Sequence, residues 1–244
     1  MTPHRVGWTE DGHARSELYD DVFFSRADGL AETTHVFLNG NRLWEQFAAL
    51  SANETFVIGE LGFGSGLNML ATTKLWGDTA PAGAMLKLVS FEKHLLDAGT
   101  MTEMLQPWPH LAALVEPLLN AVAVHSSGDL TVGLGHANDV ELTILNGDAG
   151  TRMTDMPTPA GAWFLDGFSP AKNPDLWSSE LMTDLANQTA PGGTFATYTA
   201  AGWVRRNLEA AGFWVEKRPG FGTKREMMVG RLIDQSSRSA EVLP

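Results

Sequence analysis

The residues best suited to chemistry lie in one short run, Glu60-Leu61-Gly62-Phe63-Gly64-Ser65-Gly66. Glycines let a backbone turn through positive φ and come close to a ligand. Their spacing separates two kinds of ligand. A dinucleotide fingerprint is spaced Gly-x-Gly-x-x-Gly, which seats a pyrophosphate at a helix N-terminus. Here Gly66 follows Gly64 after a single residue, and Glu60 precedes Gly62 by two. A carboxylate at the mouth of such a loop repels a diphosphate and suits the ammonium group of a methionine moiety. The expected cofactor is S-adenosyl-L-methionine, cradled by Gly62, Gly64 and Gly66 with Glu60 beside it.

Further acids stand where strands are expected to end. Glu92, about thirty residues on, is placed to accept hydrogen bonds from ribose hydroxyls. Asp148 is placed to take an adenine amino group, with the Ala149 amide reaching a ring nitrogen. Asp166, in Trp163-Phe164-Leu165-Asp166-Gly167-Phe168-Ser169-Pro170, falls where a methyltransferase of this topology keeps its reactive sulfonium. A carboxylate there can stabilise the cation, or orient and deprotonate a nucleophile. Plainer readings stand beside these. A lone strand-end acid is more often a solvated loop residue, and Asp166 before Gly167 also fits a turn cap. It is the succession of acids that marks a nucleoside-binding edge. The histidines show no metal-ligand spacing, no Ser-His-Asp arrangement is apparent, and cysteine is absent, so no metal site is expected.

Positioning these residues requires alternating strands and helices. Residues 55–58 read as a strand, and Leu67, Leu70, Ala71 and Leu75 fall at helical spacing. Residues 86–91 form the next strand, followed by helices over 95–105 and 111–119. Residues 121–125 and 130–134 read as a hairpin, and 140–145 as a strand leading to Asn146-Gly147-Asp148. Residues 162–165 lead to Asp166. Trp177, Leu181, Met182 and Leu185 mark a helix stopped by Pro191-Gly192-Gly193. A strand over 194–198, a helix over 202–211 and strands over 213–217 and 226–232 complete the pattern. The last two have too short a connection for a helical crossover and are expected to be antiparallel. The pattern predicts an α/β, Rossmann-like class I S-adenosylmethionine-dependent methyltransferase fold with a mostly parallel seven-stranded sheet.

Upstream, Val22-Phe23-Phe24 and Thr34-His35-Val36-Phe37-Leu38, with Asp28-Gly29 between them and Asn39-Gly40-Asn41 after, predict an N-terminal β-hairpin extension. The expected organisation is a β extension over 1–50 packed on a catalytic domain over 51–234, with a flexible tail over 235–244.

A chain of 244 residues, 43% of them hydrophobic, suits one elaborated domain. It has no apolar run long enough for a bilayer and no signal-type stretch at its start, so a cytoplasmic location is expected. The net charge of −12 argues against nucleic acid, whose phosphates need cations. The distribution qualifies this. Residues 201–231 carry seven basic and three acidic residues, a local +4 that leaves −16 elsewhere. That excess is either a solvated surface or a local anion-binding face.

Several longer stretches carry a resemblance. They are Asp21-Val22-Phe23-Phe24-Ser25, Asp28-Gly29-Leu30, Glu32-Thr33, Val36 through Asn41, Gly62 through Asn68 and Ser90-Phe91-Glu92-Lys93. Trp163 through Pro174 and Pro219-Gly220-Phe221-Gly222-Thr223-Lys224-Arg225-Glu226-Met227 complete the set. Together they are similar to the methyltransferase half of the bifunctional tRNA 5-methylaminomethyl-2-thiouridine biosynthesis proteins (MnmC), over residues 19–231. The resemblance implies methylation of the primary amine of 5-aminomethyl-(2-thio)uridine at the tRNA wobble position. It implies cofactor contacts at Glu60, Gly62, Phe63, Gly64, Gly66, Asn68, Glu92, Lys93, Asp148, Ala149 and Asp166. Asp166 becomes the catalytic candidate, holding or accepting the amine's proton. Lys172, Asn173, Lys224 and Arg225 become candidates for tRNA contact.

The bifunctional proteins also carry a flavin-dependent oxidase domain that exposes the amine. No second glycine fingerprint for a flavin dinucleotide occurs in this sequence, so a separate oxidase is an expected partner. Two other readings compete: a methyltransferase of a small molecule or protein on the same scaffold, and a cofactor-binding module without catalysis.

Overall fold

All four strands expected to lead to Glu60, Glu92, Asp148 and Asp166 form in the computed structural model, which describes residues 5–24, 28–135 and 139–233. The tail expected over 235–244 lies outside the described residues. The chain opens with β1 (Val6–Trp8), β2 (Ala14–Ser16) and β3 (Asp21–Val22), a small antiparallel sheet. Helix α1 (Gly29–Thr33), a π-helical turn (Thr34–Leu38) and α2 (Leu43–Ala48) lead to the main sheet. There β4 (Thr55–Leu61), α3 (Leu67–Thr79), β5 (Met85–Glu92), α4 (Ala98–Leu105) and α5 (Ala112–Val124) come first. They are followed by β6 (Leu130–Leu134), β7 (Val140–Asn146), α6 (Ala149–Arg152), β8 (Ala160–Leu165) and α7 (Ser179–Asn187). The chain then adds β9 (Thr189–Thr197), α8 (Gly202–Ala210), β10 (Phe213–Pro219) and β11 (Glu226–Leu232).

The large sheet runs β10-β11-β9-β8-β4-β5-β7-β6. Its centre, from β9 through β7, is parallel. β11 is antiparallel to both β9 and β10, as their short connection requires, and β6 is antiparallel to β7. Parallel strands covered by helices on both faces must be apolar on both. Ile58, Ala162 and Phe164 accordingly join the core under α3, while Val57, Leu61, Trp163 and Leu165 join the core under α7 and α8. From β4 the chain proceeds to β5 on one side and later to β8 on the other. That reversal opens a crevice at the carboxyl ends of the strands.

The fold class agrees with the sequence reading, but the sheet has eight strands rather than seven. Residues 121–124 are not half of a hairpin. They continue α5, and β6 pairs with β7 instead, Leu130 opposite Ile144. A short apolar run satisfies strand and helix patterns alike, and here the helix prevails. Likewise, Pro191-Gly192-Gly193 does not stop α7. The helix has already ended at Asn187, and these residues lie inside β9 beside a register shift against β8.

The N-terminal hairpin needs the larger correction. Antiparallel strands do occur, but over residues 6–22, and the segment expected as the second hairpin strand is π-helical. Val36, Phe37 and Leu38 are all buried, which an alternating strand could not achieve with one solvated face. Asp28 is an N-cap, accepting from the Leu30 and Ala31 amides at 2.9 and 3.1 Å. Asn39 is right-handed helical rather than a turn residue. At Gly40 a Cβ would sit 2.8 Å from that of Ala196. Buried Asn41 donates to the Phe37 and Trp163 carbonyls and accepts from the Thr194 hydroxyl at 2.8 Å. The Asn-Gly-Asn signal thus marks close packing against β8 and β9. Phe37, Leu43 and Phe47 share one core with α3, so the segment before β4 is seated on the main sheet. Among the described residues no helix is long and apolar enough to cross a membrane.

Candidate active site

The carboxyl ends of β4, β5, β7 and β8 border a cleft of about 920 Å³, at the upper end of the ~300–1,000 Å³ usual for ligand sites. The glycine loop forms its floor. Gly62 and Gly66 have φ of 89° and 81°, a region that strains residues bearing a Cβ. A Cβ at Gly66 would also meet the Phe63 ring at 2.7 Å. Within this cradle the Ser65 hydroxyl is buried without a hydrogen-bond partner among the described residues. A loop of this shape, edged by carboxylates, fits a cationic, hydroxyl-bearing nucleoside better than a diphosphate.

Glu60 is fully buried beneath the loop. Its Oε2 accepts from the Ser90 hydroxyl at 2.6 Å and its Oε1 from Asn68 Nδ2 at 3.0 Å. Burial pushes this carboxyl well above the usual carboxylate range, against the pull of the Ser90 and Asn68 hydrogen bonds. Asn68, in the first turn of α3, has a second task. The same Nδ2 donates to Asp166 Oδ2 at 2.7 Å, and its Oδ1 accepts from Thr33 at 2.7 Å. An amide nitrogen has two hydrogens, and both are committed. One side chain therefore ties the buried acid of β4 to the acid that follows β8.

Asp166 is partly buried, and its Oδ1 accepts from the Gly167 amide at 2.8 Å. Burial pushes its carboxyl up to about 6, opposed by the hydrogen bonds from Gly167 and Asn68. The neighbouring charges of Glu32 and Lys224 act in opposite directions on it, Glu32 raising and Lys224 lowering.

At the other end of the cleft, Glu92 is already engaged with backbone. Its Oε2 accepts from the Phe63 and Gly64 amides, both at 3.1 Å, and its Oε1 from the His94 amide at 2.7 Å. Beyond facing the cleft, it therefore braces the glycine loop. Asp148 caps α6 through the Gly150 amide at 3.0 Å and pairs with Lys93 at 3.0 Å. The Lys93 ammonium holds the Asp148 carboxyl below its usual range. Ala149 is buried at the same edge.

The remaining wall comes from segments far apart in sequence. Phe168 stacks on Tyr19 with ring centres 4.6 Å apart and meets Phe23 edge-on at 5.2 Å. The Ser169 amide donates to Asp21 at 3.0 Å, fastening the small N-terminal sheet to the Asp166 loop. Lys172 lines the cleft and pairs with Asp20 at 3.0 Å, and Asn173 lies beside it. Lys224 also lines the cleft, its Nζ 2.8 Å from Glu32 Oε1 and 3.9 Å from the centre of the Tyr198 ring. Arg225 is exposed. Three of the seven basic residues over 201–231 pair with the three acids of the same stretch, Arg205 with Glu209, Lys217 with Glu226 and Arg218 with Glu216, which leaves the local excess of four in place.

The sequence alone assigns no role here to Ser90, Thr33, Glu32 or Tyr198. One signal was available for the last: the chain has two tyrosines, and both line the cleft.

The sequence pattern of S-adenosyl-L-methionine-dependent methyltransferases matches residues 109–233. Over 233 residues the chain is 47% identical to the tRNA 5-methylaminomethyl-2-thiouridine biosynthesis bifunctional protein MnmC of Pseudomonas fluorescens, a match covering 95% of this chain and 35% of that protein. To the protein of the same name from Chromohalobacter salexigens it is 46% identical over 235 residues, covering 95% and 33%. The chain thus spans about a third of the length of these relatives. In fold it matches the crystal structure of MNMC2 from Aquifex aeolicus, with a TM-score of 0.74 and 24% identity over all of this chain and 77% of that one. With the pattern covering half of its length, the chain belongs to the S-adenosyl-L-methionine-dependent methyltransferases.

Proposed function

We propose that the chain methylates the primary amine of 5-aminomethyl-(2-thio)uridine at the wobble position of tRNA, giving 5-methylaminomethyl-(2-thio)uridine. The observation that carries this reading is Asp166: a partly buried carboxylate joined through Asn68 to the acid under the glycine loop, on a cleft with room for two ligands. The two relatives are named for biosynthesis of that modified nucleoside, which supports the choice of acceptor.

Bound S-adenosyl-L-methionine would supply a methyl group on a sulfonium. Glu60 and the loop residues Gly62, Phe63, Gly64 and Gly66 would hold its methionine end, where a buried carboxylate suits an ammonium group. Glu92 with Lys93, and Asp148 with Ala149, would hold the ribose and adenine. Asn68 fixes the carboxylates of Glu60 and Asp166 relative to each other.

An alkylammonium must lose a proton before its nitrogen has a lone pair for attack. Its ordinary pKa is near that of lysine, ~10.4, far above that of a solvated carboxyl at ~3.9. Burial narrows this gap from both sides, because a low-dielectric site favours a neutral amine and neutral acid over the ion pair. With its carboxyl raised to about 6, Asp166 is a better proton acceptor than a solvated aspartate while still largely ionised at neutral pH. The same carboxylate, held by Gly167 and Asn68, orients the amine toward the methyl group.

Lys172 and Arg225, both exposed, are the proposed tRNA backbone contacts, with Asn173 beside Lys172. Such an acceptor implies a cytoplasmic reaction. It also requires an earlier reaction that exposes the amine, which a flavin-dependent oxidase would supply.

Purified protein with labelled cofactor should label tRNA bearing 5-aminomethyluridine and leave tRNA lacking it unlabelled. Failure to label the former, with cofactor binding intact, would overturn the proposal.

A further inference from the structure

Glu32 in α1, Tyr198 just after β9 and Lys224 in the β10–β11 connection meet on the acceptor wall of the cleft. Glu32 is only 8% exposed, and a carboxylate so enclosed calls for a cation. The face of an aromatic ring attracts a cation as well. Lys224 satisfies both, with its Nζ 2.8 Å from the carboxylate and 3.9 Å from the ring centre. Tyr198 is fixed in that attitude, since its hydroxyl donates to the Gly167 carbonyl at 2.7 Å. Gly167 is the residue next to Asp166, so the ring and the proposed base are set by the same turn.

The group seated on Glu32 and Tyr198 is a primary ammonium on a flexible alkyl stem. This is the chemistry of the proposed acceptor. We propose that Glu32 and the Tyr198 face form an ammonium-binding subsite beside Asp166, filled here by the protein's own Lys224 and yielded to the ammonium group of a primary alkylamine acceptor. The inference rests on the amine-acceptor reading and adds the residues that select for an amine. Exchange keeps the enclosed Glu32 carboxylate paired throughout. It also frees Lys224, next to exposed Arg225, to meet a phosphate. An acceptor carrying both an amine and phosphates therefore displaces Lys224 more readily than an amine alone.

The probes are n-butylammonium, 5-aminomethyluridine as the free nucleoside, and uridine, titrated into the full chain with S-adenosylhomocysteine bound. Lys224→Met keeps the stem and removes the competing charge. It should tighten binding of both amines by about 5–10-fold, the scale of one partly exposed ion pair with a cation–π contact, and leave uridine unchanged. Lys224→Arg, which keeps the competing charge, should bind the amines as weakly as the parent chain. Glu32→Gln should weaken both amines by at least about 10-fold. Unchanged or weakened amine binding in Lys224→Met would overturn the proposal, whatever the behaviour of Glu32→Gln. Butylammonium separates this outcome from the fate of the tRNA reading. If it follows the expected pattern while aminomethyluridine tRNA is not methylated, the subsite stands and the tRNA acceptor falls.

Discussion

The proposed donor side of the cleft is assembled from neighbouring strand ends, with Glu92 closing β5, Asp148 and Asp166 just past β7 and β8, and Glu60 buried beneath the loop that follows β4. Its acceptor side gathers Tyr19, Glu32, Phe168, Tyr198 and Lys224 from loops and a short helix, joined by ring stacking and one lysine. Sheet register fixes the first set, because parallel pairing places the strand ends side by side whatever the side chains do. Only side-chain contacts fix the second. On the proposed assignment the donor site is the half held by the sheet, and the acceptor site the half where substitutions are expected to change the substrate with least effect on the scaffold. Asp166 belongs to both, held by Asn68 on one side and neighbouring Glu32 and Lys224 on the other.

The sharpest way to break this division is at the joint. Asp166→Asn should lower the single-turnover methylation rate by roughly 10²–10⁴-fold, the usual range for a general base, with cofactor affinity changed by no more than about 3-fold. Calorimetry and rapid-quench kinetics on the same preparation check it, and equal losses in both would make Asp166 a binding residue only.

Glu60→Gln probes the donor side. Replacing the carboxyl proposed to face the cofactor's ammonium with a neutral amide should weaken S-adenosylmethionine binding by about 10–100-fold. The stability effect has the opposite sign. The Glu60 carboxyl is raised in the folded protein, so above the ordinary carboxylate range the unfolded chain ionises where the folded one resists. That costs stability increasingly as pH rises. The Gln variant, free of this cost, should melt higher than the parent at pH 7 and at the same temperature near pH 3. A parent that melts higher at pH 7 would contradict the assignment.

Asn68→Leu tests the coupling between the halves. In the parent, kcat/KM should fall as pH drops through about 6, where Asp166 takes up its proton. Removing the Asn68 hydrogen bond removes an interaction that favours the carboxylate, so this acidic limb should move to higher pH. An unmoved limb would mean that Asn68 only packs. The smallest effect is expected at the rim. Arg225→Ala should weaken tRNA binding a few-fold and reduce the salt slope by about one unit, with cofactor affinity unchanged.

The two halves also differ in how far they could be read from sequence. The glycine loop and its acids are legible because each carries a local signature, a spacing or a strand end. The role of Asn68 is not, since its contact with Asp166 spans 98 residues. The Glu32–Lys224 contact spans 192, and no periodicity in either segment points to the other. Asn39-Gly40-Asn41 misleads for a related reason. Gly40 and Asn41 answer to β8 and β9, reached only through tertiary packing, while the same letters satisfy a hairpin turn locally. The fold class survives such local errors because alternating strands and helices recur along most of the chain, and a single misassigned segment leaves the alternation intact.

The most direct test of the proposed acceptor is the nucleoside composition of tRNA from cells lacking this gene. Loss of 5-methylaminomethyl-(2-thio)uridine and accumulation of its unmethylated 5-aminomethyl precursor are expected, both reversed by the parent gene and not by Asp166→Asn. An unchanged nucleoside profile in the deletion strain would contradict it.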